Sequence, residues 1–346
     1  MNSQPAVKKE TKNKIRVEFD RTPLKERLKA KFLNAAFYTN IVWYLFRFVI
    51  LLGVSYIVLY PFFAKIAASF MSPEDFIDVT VMLIPKYPTF DQYSAVFLEN
   101  DYIAAFFNTL SLSLISAILQ TFVSCLVGYG LAKFKGNSLI MGAVILTMVI
   151  PHGTVYLSMF MEFRYFDIFK LFGLLDPIGY NGIFELILGK PIQLTGTYWP
   201  LVILSATGLA FKNGLYIFMM RQFFRGVPDE LEESAYIDGS GTLRTFLQII
   251  IPLSVPMMIT IFLFSFSWQW TDDFYTNMFI ATNKITLMPD IVGIPKSLET
   301  TYAGQSLYYA AINNTCGIMI ILPLVILYLF CQKYLVQGIE RSGIVG

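Results

Sequence analysis

The side chains able to do chemistry in this chain are few, and they sit in unusual places. There is one histidine, His152, directly after Pro151 inside an apolar stretch. The cysteines, Cys125, Cys316 and Cys331, all lie in apolar blocks without a CxxC spacing or a neighbouring histidine. Neither a zinc site nor a disulfide framework fits that distribution. A proton relay would need a partner for His152, and a helix-end or cavity-lining residue is the plainer reading. Lys212 and Asn213 interrupt another apolar block. A charge there costs about 3 kcal/mol on insertion scales, so Lys212 must face water, a ligand or a counter-charge, or snorkel. Asp272 or Asp273 could be that counter-charge, and so could an anionic group on a bound molecule. Trp268, Gln269, Trp270, Asp272, Asp273 and Tyr275 follow one another closely. Aromatic faces beside amides and carboxylates suit a polar ring such as a sugar, whose C–H face stacks while its hydroxyls are hydrogen-bonded. The same residues also suit the aromatic belt of a membrane interface. Trp268, Asp272 and Tyr275 share one face if helix runs through all three. Asn313, Asn314 and Thr315 could line the same cavity. This is the chemistry of binding: one histidine is too few for an enzyme embedded in the membrane, and no G-x4-G-K-[ST] nucleotide loop is present.

The elements that position these residues follow from composition. The chain has 346 residues, of which 55% are apolar and 14% charged, against about a quarter charged in a soluble globule. The apolar residues gather into blocks at about 43–67, 105–131, 139–161, 198–220, 252–270 and 312–332. Each approaches the roughly 20 residues that cross a bilayer as helix, and lipid leaves no alternative to helix. The fold class expected is therefore an all-α membrane protein with six transmembrane helices. The first block is too long and too late for a cleaved leader. Lys and Arg set the orientation. They crowd the tail at 1–42 and recur at Lys133 and Lys135, at Arg221, Arg225 and Arg244, and at Lys333 and Arg341. In a six-span reading all four groups fall on one side, so both termini are expected in the cytoplasm. The membrane domain is then 43–336, with a tail at 337–346. The basic N-terminal tail suits the anionic inner leaflet, or a disordered topogenic segment. The outer loop between the third and fourth blocks is long and rich in Gly, Pro and Tyr; it could meet an external partner or be an insertion without special role.

The inner connection at about 221–251 is the most informative. Pro228 and the acids Asp229, Glu230, Glu232 and Glu233 make a good helix start, because acids favour the N-terminal end of the dipole. Gly239 and Gly241 end that helix, and a second helix enters the membrane. Leu231, Ala235 and Tyr236 give the short helix one apolar face. An acidic amphipathic helix on the cytoplasmic side suits docking into a protein groove.

At these residues the chain resembles the binding-protein-dependent ABC permeases, which carry the pattern EAA-x3-G-x9-I-x-L-P in this loop. Here it reads Glu233-Ser234-Ala235, three residues ending in Asp238, Gly239, nine residues, then Ile249-x-Ile251-Pro252. Ser234 and Ile251 are mild departures. Tyr236-Ile237-Asp238-Gly239 is similar to the carbohydrate-uptake branch, in particular the second permease of the maltose type. So are Pro88-Thr89-Phe90 with Tyr93, Asn108-Thr109, the run from Gly128 to Phe134, and Ile150-Pro151. The resemblance covers the chain from the first span to the C terminus, leaving out the basic tail and much of the long outer loop.

The resemblance implies a type I ABC importer permease fold in a bacterial cytoplasmic membrane. It implies a second, different permease subunit, two ABC ATPase subunits, and an external solute-binding lipoprotein or periplasmic protein that delivers a carbohydrate. Glu233 would meet an ATPase subunit and Gly239 would let the helix turn. No cofactor is expected in this chain; ATP and Mg belong to the ATPase subunits. No nucleic-acid partner is expected. The family often ends in a Gly-Ser-Val-Lys-Gly-like run that reaches the ATPases. This chain ends Ser342-Gly343-Ile344-Val345-Gly346, with Val345 in the place of the Lys. A secondary transporter or channel for a small polar solute is the competing reading. It predicts inverted repeats or paired broken helices, which hydropathy does not reveal here.

Overall fold

The computed structural model of the chain describes residues 8–9, 15–16, 35–134, 138–168, 182–280, 285–299, 301 and 305–343. Residues 1–64 and 65–346 form two compact units. In the first, two-residue strands β1 (Lys8–Lys9) and β2 (Ile15–Arg16) pair antiparallel. The helix α1 (Ala35–Ala68) accounts for most of its described residues. The rest of the expected tail at 1–42, up to Ala35, lies outside the described residues. Side chains along α1 such as Trp43, Phe46 and Val49 are exposed.

The second unit is helical. Its helices are α2 (Asp91–Glu99), α3 (Tyr102–Lys133), α4 (Ser138–Val149), α5 (His152–Arg164), α6 (Ile183–Leu188), α7 (Trp199–Thr207), α8 (Asn213–Arg225), α9 (Glu230–Ile237), α10 (Ile251–Trp270), α11 (Phe274–Ile280) and α12 (Gln305–Gly343). A helical lead-in, Thr242–Thr245 followed by the π-turn Phe246–Ile250, joins α10 without a break.

The helix α3 is polar inside and apolar outside. Ser113, Ser116, Gln120, Thr121 and Ser124 are buried, whereas Ile115, Ile118, Phe122 and Leu126 are exposed. That polarity is the reverse of a helix in a water-soluble protein. It is stable where the surroundings are apolar and small polar side chains serve helix packing. α3 packs against α7, α8 and α10, and α10 against α12. Close approach of α3 to α8 depends on Gly128. A Cβ there would stand 2.6 Å from the Cβ of Met220 and 3.0 Å from the backbone N of Arg221.

The six expected crossings are not six continuous helices. Among the described residues four helices are long and apolar enough to span: Phe37–Ala68, Tyr102–Lys133, Thr242–Trp270 and Gln305–Leu335. The block expected at 139–161 is α4 and α5, bent by 101°. Pro151 causes the bend: it has no N–H to continue the ladder, and it pushes the preceding residue out of the α region. The block expected at 198–220 is α7 and α8, separated at 208–212. Gly208 and Lys212 there adopt φ of +79° and +66°. The expected C-terminal tail begins inside α12, which runs on to Gly343; residues 344–346 lie outside the described residues, as do 169–181 of the long outer loop.

Gly128→Val should force α3 and α8 apart and cost about 1–3 kcal/mol, lowering the melting temperature of the protein in lipid discs. Gly142→Ala, where a Cβ meets nothing within 4 Å, should be neutral or slightly stabilising in the same measurement.

Candidate functional site

Three interruptions of the helical ladder converge on one cluster. Backbone that leaves the helix at membrane depth is tolerated where it is buried in protein or lines a cavity. The bend at Pro151 places His152 at the start of α5, and its Nδ1 lies 2.5 Å from the Tyr275 hydroxyl. The His152 ring meets Phe211 edge-on, with centroids 4.7 Å apart. Phe211 and Lys212 belong to the break between α7 and α8. The third interruption is at 271–273, where α10 stops and α11 begins, so the condition for Trp268, Asp272 and Tyr275 to share one helix face is not met. All three nevertheless line one recess, together with Gln120, Ser205, Phe211, Ser265 and Gln269.

The sequence-predicted binding residues separate into distinct roles. Lys212 places its Nζ 4.7 Å from the Phe211 ring centroid and 4.9 Å from that of Trp268. Asp272 caps α11, accepting from the backbone N–H of Thr276 at 2.9 Å, from its hydroxyl at 3.0 Å and from the N–H of Tyr275 at 3.4 Å. Asp273 is exposed and accepts from Asn277. Lys212 thus has neither aspartate as an ion-pair partner, and no salt bridge to it is found among the described residues. Asn213 is fully buried and accepts from the Ser124 hydroxyl, facing α3. Trp270 is a core residue: it is 1% exposed, its indole N–H donates to the Ile320 carbonyl at 2.9 Å, and it packs on Phe106 and Phe266. Asn314 is half-buried on α12 and does not line the recess.

The connection at 221–251 forms a second candidate site. Asp229 precedes α9, and Asp238 ends it. Gly239 follows at φ +80°, while the N–H of Ser240 reaches back to the Ala235 carbonyl at 2.9 Å. This left-handed C-terminal cap favours glycine. The expected apolar face is only partly inward: Ala235 is buried, but Leu231, Tyr236 and Ile237 are exposed. Glu233 and Ser234 are exposed as well, the Ser234 hydroxyl donating to the Glu230 carbonyl. Ile249 and Pro252 flank the start of α10. Pro252 cannot donate an N–H, and the ladder shifts register in the π-turn immediately before it, where the N–H of Ile251 bonds the Phe246 carbonyl.

What holds α9 to the membrane part was not singled out from the sequence. Lys133, at the end of α3, reaches the Asp229 carboxylate at 2.5 Å and that of Glu232 at 3.0 Å. The Tyr129 hydroxyl donates to Glu232 at 3.1 Å, and its ring lies 4.7 Å from that of Phe246. Glu232 is 8% exposed. The signal was present: Tyr129 and Lys133 stand four residues apart on one helix face, across from an acidic loop.

With this geometry in place, the comparisons are decisive. Residues 120–341 match the family model described as "Binding-protein-dependent transport system inner membrane component". The chain belongs to this family. It is a transport subunit, not an enzyme, and a multi-pass protein of the cytoplasmic membrane. This permease is 24% identical over 307 residues to the galactooligosaccharides transport system permease protein GanQ of Bacillus subtilis (strain 168), covering 87% of this chain and 95% of that protein. It is 27% identical over 297 residues to the arabinooligosaccharides transport system permease protein AraQ of the same organism, covering 84% and 92%. Its fold is similar to that of a chain in the crystal structure of a bacterial ABC transporter involved in the import of the acidic polysaccharide alginate. The TM-score is 0.61 at 20% identity, over 86% of this permease and 97% of that chain.

Replacing Lys133 with Met should leave Glu232 buried without its cation and loosen α9 by about 2 kcal/mol. The expected readout is faster proteolysis and hydrogen exchange across 226–242, with Lys133→Arg close to wild type.

Proposed function

We propose that this permease forms half of the transmembrane path of an ATP-driven importer for an oligosaccharide. An extracellular solute-binding lipoprotein or periplasmic protein delivers the substrate. A second, different permease subunit completes the path, and two ATPase subunits drive it. Counting the bent pair α4–α5 and the broken pair α7–α8 as one crossing each, the chain crosses the bilayer six times with both termini in the cytoplasm. The observation that carries the coupling part of this reading is α9. One side of it is ion-paired to α3 through Asp229 and Glu232, while Glu233, Leu231 and Ile237 stand exposed away from those pairs. A short helix with one anchored and one free side suits transmission between an ATPase groove and the membrane helices. The substrate class is supported by relatives named for galacto- and arabino-oligosaccharide transport. It is also supported by the recess, where Trp268, Phe211 and Tyr275 stand beside Gln120, Gln269 and Asp272.

The interrupted helices also favour a second reading, a secondary transporter, since broken helices near the bilayer midplane are common there. Family membership weighs against it, and the same experiment separates the two. The assembled complex in lipid is assayed for ATP hydrolysis with and without binding protein and sugar. Glu233→Ala and Gly239→Pro should each lower the stimulated rate at least about ten-fold, a loss of about 1.4 kcal/mol in coupling, while the complex still assembles. A chain that purifies without any ATPase and carries sugar on an ion gradient alone would sink the importer reading.

A further inference from the structure

The donors and acceptors of the recess do not balance. Gln120 is spent at both ends: its Nε2 donates to Ser205 at 3.2 Å and its Oε1 accepts from Ser265 at 2.9 Å. The Ser205 hydroxyl donates in turn to the Leu201 carbonyl. Asp272 already accepts three hydrogen bonds from α11. Tyr275 and His152 occupy one another. Two donors stand out among what remains. The Gln269 Nε2 is buried and has no hydrogen-bond partner among the described residues. Lys212 stands beside the recess, its ammonium over the faces of Phe211 and Trp268, which line it, and with no salt bridge among the described residues. Two aromatic faces ease the cost of a cation but do not neutralise it, each contributing about 0.5–2 kcal/mol. An ionised partner recovers roughly twice what a neutral acceptor does.

The geometry points to an anionic saccharide as the ligand: a sugar carboxylate pairs with Lys212 while its ring stacks on Trp268 or Phe211 and Gln269 donates to a ring substituent. This deepens the proposed function and rests on its carbohydrate reading. The free volume of the recess is about 20 Å³, room for about one water and not for a sugar ring. The site is therefore closed in this conformation, and binding requires its aromatic walls to part. Asp272 lines the same recess, and its three hydrogen bonds are what allow a second carboxylate nearby.

The test measures equilibrium binding to the assembled complex in lipid discs, without the external binding protein, so that the membrane site alone selects. The probes are a panel of uronate trisaccharides and their carboxyl-reduced, neutral counterparts. Wild type should bind at least one uronate form about ten-fold or more tightly than its neutral counterpart, with the preference shrinking as salt is raised. Lys212→Met should bring the two forms within about two-fold of one another, and Lys212→Arg should keep the preference. Equal binding of both forms by wild type, or a preference that survives Lys212→Met, overturns the inference and leaves the importer reading standing. Binding of neither form, in a complex whose ATPase also ignores every saccharide supplied with binding protein, overturns the carbohydrate reading together with it. The wild-type comparison needs no variant, so misfolding of Lys212→Met does not blunt the test.

Discussion

A chain in lipid has no solvent to fall back on, and every polar group must find its partner inside the protein. In this permease that demand is met chiefly through α3. Toward its N-terminal end Thr109 accepts from the Met288 N–H at 2.8 Å and Asn108 donates to the Thr286 carbonyl. Midway, Gln120 bridges Ser205 of α7 and Ser265 of α10, and Ser124 holds Asn213 at the start of α8. At its C-terminal end Tyr129 and Lys133 hold α9. Each of these partners comes from a different part of the chain. An apolar replacement along this stripe would keep hydropathy and lose what tells the other helices where to sit.

The same demand decides where helices can stop. A break exposes carbonyls and N–H groups, so breaks pay only where other elements cover them or where a polar ligand will. Here the bend at Pro151, the break at 208–212 and the gap at 271–273 gather around His152, Phe211, Lys212, Trp268 and Tyr275. Had they been scattered, local loop sterics would suffice as an explanation. Their convergence makes the recess the part of the membrane domain least constrained by continuous helix and best placed to change shape.

This division explains what could be read in advance. The block 105–131 is continuous helix and holds no proline, 312–332 stays continuous in spite of Pro323, and hydropathy finds both. The connection at 221–252 was legible because its devices are local: acids at a helix start, Gly239 where φ is positive, Pro252 at the start of the next helix. At the break at 208–212 Lys212 stood out as a charge in an apolar block, but not as the end of a helix. Gly208 is unremarkable in a membrane segment, and Lys212 in a left-handed conformation is a decision of the tertiary structure, since a Cβ at Gly208 would crowd Val123 of α3. Trp268 and Trp270 look alike in sequence and two residues put them on different faces; only packing against Ile320 and Phe106 sends Trp270 into the core. The partners of Lys133 lie about a hundred residues away, so the Tyr129–Lys133 spacing and the acidic loop were each legible but not their pairing.

The two candidate sites are joined by one rigid part. Gln120, under the recess, and Lys133, at α9, lie thirteen residues apart on the same unbroken helix, about 20 Å at the rise of an α-helix. The lead-in to α10 provides a parallel rod: it begins beside α9, packs Phe246 on Tyr129, and ends at Trp268 and Trp270. A displacement of α9 therefore reaches the recess along two struts from opposite sides, α3 through Gln120 and α10 through Ser265, and these two side chains are hydrogen-bonded to each other. If the struts moved together, that bond would survive and the recess would stay shut. Opening of the proposed importer is a shear between them; along the second strut the ladder departs from α geometry in the π-turn at Phe246–Ile250, and Pro256 beyond it lacks an N–H to donate. In the proposed importer the departure ahead of Pro252 has a mechanical meaning: it lets α10 slide against α3 without melting either helix.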